Sequence, residues 1–129
     1  MLHPLHDVAY QAIAHIPVAC IVSLRSTTEI VAVNDAAVEV FGYDRREEML
    51  VLDITTLTAT DYRSELEDNY RRTFEDGLTK VKVYQRRDGT PFEVQLFAQP
   101  MVGHADLAIA VIIDLGLSDM LRAAAPASP

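Results

Sequence analysis

The stretch Lys80 to Gln99, KVKVYQRRDGTPFEVQLFAQ, reads as two β-strands folded around Asp88-Gly89, and it constrains the rest of the chain. Asp-Gly favours a two-residue turn in which both central residues take positive φ, so Arg87 should face Thr90. Counting outward puts Val83 opposite Val94, Val81 opposite Leu96 and Gln85 opposite Phe92 on one surface. Lys82 then meets Gln95, and Tyr84 meets Glu93, on the other. Pro91 falls opposite Arg86, in a pair that does not need its missing N–H. The spacing therefore predicts an apolar face of Val81, Val83, Phe92, Val94 and Leu96. On the polar face Lys80, Lys82, Arg86 and Arg87 read as a solvated, charge-guarded edge rather than an anion site.

C-terminal to the hairpin, Val102-Gly103-His104-Ala105 is turn material and Leu107 to Leu115 a last strand. With Gly103-His104 as the turn residues, Leu107, Ile109, Val111 and Ile113 join the face of Leu96, Val94 and Phe92. The opposite surface, with Phe97, Ala108, Ala110 and Ile112, is apolar enough to need a cover. Leu117 to Ala125 could begin a helix that Pro126 and the tail stop.

N-terminal to it, Thr60 or Asp61 caps the longest helix, with Tyr62, Leu66, Tyr70 and Phe74 at intervals of four and Gly77 past its end. Its exposed side offers Glu67 to Arg71 and Asp68 to Arg72. Asn34 or Asp35 caps a short helix carrying Ala37, Val38 and Phe41, closed by Gly42. Another short piece spans Asp44 to Leu50, and Val51 to Ala59 is compact loop with one possible helical turn. Val18 to Arg25 and Glu29 to Val33 read as paired strands. Leu5, Val8, Ala9, Ala12, Ile13 and Ile16 make an amphipathic helix that Pro17 stops. That helix is the candidate cover for the outer sheet surface, from its own chain or from a partner.

The 129 residues, half of them hydrophobic, suffice for one modest core, and the net charge of -8 repels phosphate backbones and anionic lipid headgroups. Nucleic acid and membrane insertion are thus not expected, the longest apolar run being Leu107 to Ile113. The single cysteine, Cys20, excludes an internal disulfide, and the N-terminus lacks the pattern of a secretory signal, so a cytoplasmic protein is expected.

Helix, two strands, several helices and three antiparallel strands form an order whose residues resemble a PAS domain over about 18 to 115. Ile30-Val31-Ala32-Val33-Asn34-Asp35-Ala36-Ala37 followed by Phe41-Gly42-Tyr43 is similar to that family's "I-x-x-x-N-x-A…x-G-Y" segment. Arg86-Arg87-Asp88-Gly89-Thr90 resembles its late turn, and Asp114-Leu115-Gly116 stands where many members carry Asp-Ile-Thr before an output helix. The resemblance implies an α+β fold: a five-stranded antiparallel sheet ordered 2-1-5-4-3, with the helices of Asn34 to Phe74 packed on one face. Residues 1–17 would be the N-terminal helix, 18–115 the PAS domain and 116–129 a linker or tail. It also implies a sensor or dimerisation module of signalling proteins such as two-component systems.

Asp61-Tyr62-Arg63-Ser64-Glu65 with the hairpin is similar to haem-bearing PAS domains of oxygen-sensing histidine kinases, but the ligand histidine is missing from Asp76-Gly77-Leu78-Thr79, which disfavours haem. Cys20 lies in a strand, not in the helical region that a flavin adduct needs, and reads as a small buried hydrophobe, so covalent flavin is disfavoured too. His3 and His6 lack a third metal ligand; His15 and His104 read as a helix neighbour and a turn residue. No nucleophile with a plausible base nearby, no glycine-rich phosphate loop and no metal-ligand spacing is present, and Asp53 and Asp61 read as loop and cap residues, so an enzyme is not expected.

Two functions remain. In one, Tyr62, Leu66, Tyr70, Phe74, Val83, Phe92, Val94, Leu96, Ile109 and Val111 line a pocket for a small ligand of unknown identity, and Asp114 relays its state. In the other, the core is filled and the domain is an interaction module. A homodimer through Leu5, Val8, Ala12, Ile13, Phe97, Ala110 and Ile112 is expected with either. So is a signalling effector domain or partner protein, since no kinase, cyclase or DNA-binding segment is present.

Overall fold

In the computed structural model, residues 2–116 are described; the expected helix at Leu117 to Ala125 and the tail lie outside them. One antiparallel sheet carries the chain, in the strand order β2-β1-β5-β4-β3. Its strands are β1 (Ala19–Leu24), β2 (Ile30–Val33), β3 (Leu78–Gln85), β4 (Pro91–Met101) and β5 (His104–Asp114). Between β2 and β3 come α2 (Asp35–Phe41), α3 (Arg46–Met49), α4 (Ile54–Leu57), a 3-10 helix (Thr60–Glu65) and α5 (Leu66–Asp76). The sheet order and the helical face are those the family resemblance implies.

The two sheet faces carry two cores. Ile21, Phe41, Tyr84, Val94, Leu96 and Ile112 pack with the crossing helices on the inner face. Ala9, Ile13, Cys20, Val22 and Leu107 pack on the outer face under α1 (His6–Ile13). The N-terminal helix therefore covers the sheet of its own chain. Ile13 is fully buried there, whereas Val8 and Ala12 are exposed.

Asn34 joins these layers. Its Oδ1 caps α2 by accepting from Ala37 N at 3.0 Å and also accepts from Cys20 N at 3.0 Å. Its Nδ2 donates to the carbonyls of Ile13, Ile16 and Val18 at 3.2, 3.1 and 2.8 Å. One buried amide thus satisfies the end of α1, the start of β1 and the start of α2 at once. Gly42 closes α2 at φ 79°, as its position past the helix suggested.

The β3–β4 hairpin differs from the expectation by one residue. Gly89 N donates to Arg86 O and Arg86 N to Thr90 O, each at 2.9 Å, so the loop holds three residues, with positive φ at Gly89 and not at Asp88. A type I turn closed by a left-handed glycine competes with the two-residue turn for the same Asp-Gly pair. Lys82 consequently pairs with Val94, Tyr84 with Phe92, Lys80 with Leu96 and Gln85 with Pro91. Because side chains alternate, this slip turns Lys82 and Tyr84 into the core and Val81 and Val83 out of it. Lys82 is only 4% exposed while Val81 is 49% exposed.

The β4–β5 turn is likewise Val102-Gly103, with Met101 facing His104, and the register shifts between Pro100 and Met101. Pro100 has no N–H to keep the ladder continuous there. Ala98 then pairs with Ala110 and Leu96 with Ile112. Ala108, Ala110 and Ile112 thus face inward, and Leu107, Ile109 and Val111 face α1, the reverse of the expected assignment.

The long helix is split as well. Its first turns are 3-10 and α5 begins at Leu66, so the buried positions are Leu66, Asn69 and Thr73 rather than an aromatic stripe. Tyr62 is exposed, and Phe74 is half-buried beneath the Arg25 guanidinium, 4.7 Å from its ring centre. On the exposed side Arg71 pairs with Asp68 and Glu75 instead of Glu67.

Candidate functional site

Between α5 and the inner sheet face lies a small, partly open cavity of about 40 Å³. Its apolar wall comes from Ile54, Leu66, Leu78, Tyr84 and Leu96. Ala98, Ala108 and Ala110 form the floor where β4 and β5 pair, and their small side chains leave the space open. The polar part comes from Ser23, Asn69, Tyr70, Thr73 and Lys82.

Each polar group owes its place to the local fold. Ser23 follows Ile21 on the inward side of β1, and its Oγ shares a hydrogen bond of 2.6 Å with the Tyr70 hydroxyl. Burial pushes the Tyr70 phenol up to about 12, partly offset by Ser23, so the hydroxyl stays protonated. Asn69 and Thr73 lie one turn apart on α5, and Thr73 Oγ1 donates to the Asn69 carbonyl at 2.8 Å. Lys80 Nζ donates to Asn69 Oδ1 at 3.3 Å and pairs with Glu65 at 3.4 Å. Asn69 Nδ2 is buried without a hydrogen-bond partner.

Lys82 enters from β3, its Nζ 4.4 Å from the Tyr84 ring centre. Burial, with Lys80 acting in the same direction and Glu65 opposing, brings its ammonium down to about 7. A lysine at a core position of a strand is costly unless something in the interior uses it.

Of the expected pocket residues, Leu66, Tyr70 and Leu96 line this cavity. Tyr62, Val83 and Phe92 instead border an open groove of about 930 Å³ along β3. Val94 is packed core, Phe74 sits under Arg25, and Ile109 and Val111 lie on the other sheet face. Asn69, Thr73, Lys82 and Tyr84 were not legible as lining, because they depend on the register of β3 or the start of α5, and Ser23 was not, because it follows the face taken by its β5 partner Ala108. A lysine within an alternating apolar strand was the available signal.

Asp114 closes the same face of β5. Its Oδ2 accepts from Arg86 Nη2 at 2.8 Å and its Oδ1 from Gly116 N at 2.8 Å. The Arg86 guanidinium also donates to the Val40 carbonyl and lies 4.0 Å over the Phe92 ring centre. Arg86 is therefore a connector between α2, β4 and β5, not a solvated edge charge. Among the described residues no cluster of His, Cys, Asp and Glu could hold a metal ion, and no helix is long and apolar enough to cross a membrane.

An antiparallel sheet in the order β2-β1-β5-β4-β3, with helices and a cavity on one face, defines an α+β domain of one sheet. The chain belongs to the PAS domain family, whose model matches residues 17–116. No curated protein sequence matches it. Among solved structures it is similar to a domain of a sensory box sensor histidine kinase/response regulator from Geobacter sulfurreducens. The identity is 22%, the TM-score 0.67, and the likeness covers 84% of this chain and 93% of that one. It is similar to the LOV protein of Rhodobacter sphaeroides at 21% identity and TM-score 0.70, over 91% and 70% of the two chains. It also resembles the PAS domain, in complex with ethanol, of a LuxR-family transcriptional regulator from Burkholderia thailandensis. There the identity is 16%, the TM-score 0.65 and the coverage 83% and 97%. At these identities the likeness is one of fold.

Proposed function

We propose that this PAS domain is a non-catalytic sensor that holds a small molecule in the cavity under α5 and relays its presence along β5. The observation that carries the proposal is the buried, unpartnered Asn69 Nδ2 at the wall of this small cavity. Buried amides without partners are rare, and a ligand acceptor would satisfy this one. The relay follows from the two-residue period of a strand: Ala108, Ala110, Ile112 and Asp114 share one face of β5. The first two line the cavity and the last is held by Arg86. A ligand that displaces the β5 floor changes the strain on that ion pair and on the chain that follows it. The ligand is far smaller than haem or flavin, in keeping with about 40 Å³ of space. The bound ethanol of the Burkholderia thailandensis domain is a molecule of this size class in a domain of the same fold.

The test is the absorption spectrum of the purified protein together with mass spectrometry of what denaturation releases. Release of one small metabolite, absent from an Ala98→Leu variant whose larger side chain fills the cavity, is the expected result. Visible absorbance from a large chromophore would contradict it.

A second reading, an interaction module that dimerises, is favoured by the uncovered part of the outer sheet face. Val81, Phe97 and Ile113 are exposed there to 49, 43 and 44%. The effector is then a signalling domain or partner protein that reads the dimer. Of the expected dimer residues, Phe97 and Val8 are accessible to a partner, whereas Ile13 is buried under its own chain and Ala110 and Ile112 belong to the inner face.

A further inference from the structure

Resting on the reading that the cavity takes a ligand, we infer that this ligand is a small carboxylate, acetate-sized, held by Lys82 Nζ and Asn69 Nδ2. The cavity is unbalanced in hydrogen-bonding character. Lys82 and Asn69 are 4% and 5% exposed, and no acidic side chain lines the space. Lysine offers donors only, and no ion pair or hydrogen bond among the described residues engages its ammonium. Asn69 Oδ1 faces Lys80 Nζ, itself a donor, which fixes the amide with its NH₂ turned away from Lys80. The Ser23–Tyr70 bond uses only one of the two hydroxyl hydrogens, leaving the other to donate.

The missing partner is therefore an acceptor, and beside an ammonium a charged one is preferred. A space of about 40 Å³ holds roughly three waters or one compact anion of similar bulk. The apolar wall of Leu66, Leu78 and Leu96 suits a methyl or short alkyl group opposite the carboxylate. A hydrated inorganic ion would leave that wall unmatched.

Protonation couples to binding. Lys82 must carry its charge to hold the anion, so affinity rises as pH falls from 8 to 6. The other titratable groups facing it leave that trend to Lys82. Lys80 and Glu65 are paired with each other at 3.4 Å, and burial holds the Tyr70 and Tyr84 phenols well above this range.

The test is a titration of the full ¹⁵N-labelled chain with sodium acetate and sodium formate. Acetamide and propan-2-ol serve as neutral isosteres, and sodium chloride controls for ionic strength. Saturable shifts at Ser23, Asn69 and Lys82 with the carboxylates are expected. They should weaken ~10- to 100-fold in Lys82→Met and in Asn69→Leu, the range of a hydrogen bond to a charged group. Arg72→Met, which removes an exposed charge of α5 that touches neither Lys82 nor Asn69, should retain binding. Saturation by acetamide or propan-2-ol but not by the carboxylates would overturn the anion assignment while leaving a ligand cavity. Silence of the cavity resonances toward every probe would overturn both.

Discussion

Arg86 on the hairpin holds Asp114 at the end of the last strand, Nη2 to Oδ2 at 2.8 Å, while the same guanidinium reaches the Val40 carbonyl and covers Phe92. Residues distant in sequence from α2, β4 and β5 thus converge on one cation. Arg86→Ala should lower stability by roughly 1–3 kcal/mol, since it leaves a carbonyl and a carboxylate without their donor. Asp114→Asn should cost less. Urea denaturation gives the difference, and hydrogen exchange at 113–116 should quicken in both variants. Unchanged exchange there would remove Arg86–Asp114 from the relay.

Asn34→Ala should cost roughly 2–4 kcal/mol, because one amide caps α2 and also satisfies the end of α1. Loss of α1 docking should accompany it, seen as increased exposure of Cys20 to a thiol reagent. Burial beneath α1 raises the Cys20 thiol above its ordinary value and keeps it slow to react in the wild type.

The pH dependence of stability follows from Lys82. Its native value near 7 lies below the 10.5 of an unperturbed lysine. Between those values the unfolded chain retains a proton that the native chain has released. Stability should therefore rise with pH from about 7 upward, by at most about 1.4 kcal/mol per pH unit. Lys82→Met should abolish that rise and be more stable than the wild type at pH 7 and below. Equal slopes in the two proteins would place Lys82 in solvent.

Strand order and helical face were legible through the family resemblance, whereas a cap at Asn34 or Asp35 and the Gly42 stop were legible from local chemistry alone. What failed was parity. Asp88-Gly89 serves a two- or a three-residue loop equally well, and the choice moves every side chain of β3 to the opposite face. The shift beside Pro100 did the same to β5. In β3 the apolar Val81 and Val83 also compete with Lys82 and Tyr84 for the inner face when hydrophobicity alone decides it. Asn69 and Thr73 were hidden by the aromatic spacing of Tyr62, Tyr70 and Phe74, which the 3-10 turns from Thr60 to Glu65 break.

Dimerisation is tested by light scattering of Phe97→Lys, which places a charge on the uncovered sheet surface without entering either core. A dimer in the wild type and a folded monomer in the variant is the expected outcome. Ile13→Asp cannot serve, since it charges a fully buried position and reports folding instead.

Everything proposed for the cavity requires Lys82 to face it, and the direct measurement is the titration of the Lys82 ammonium by NMR of ¹⁵N-lysine-labelled protein. A midpoint near 7, moving upward on addition of acetate, is expected. A midpoint near the ~10.4 of a solvated lysine would contradict it, and would return Lys82 to the polar face of the hairpin.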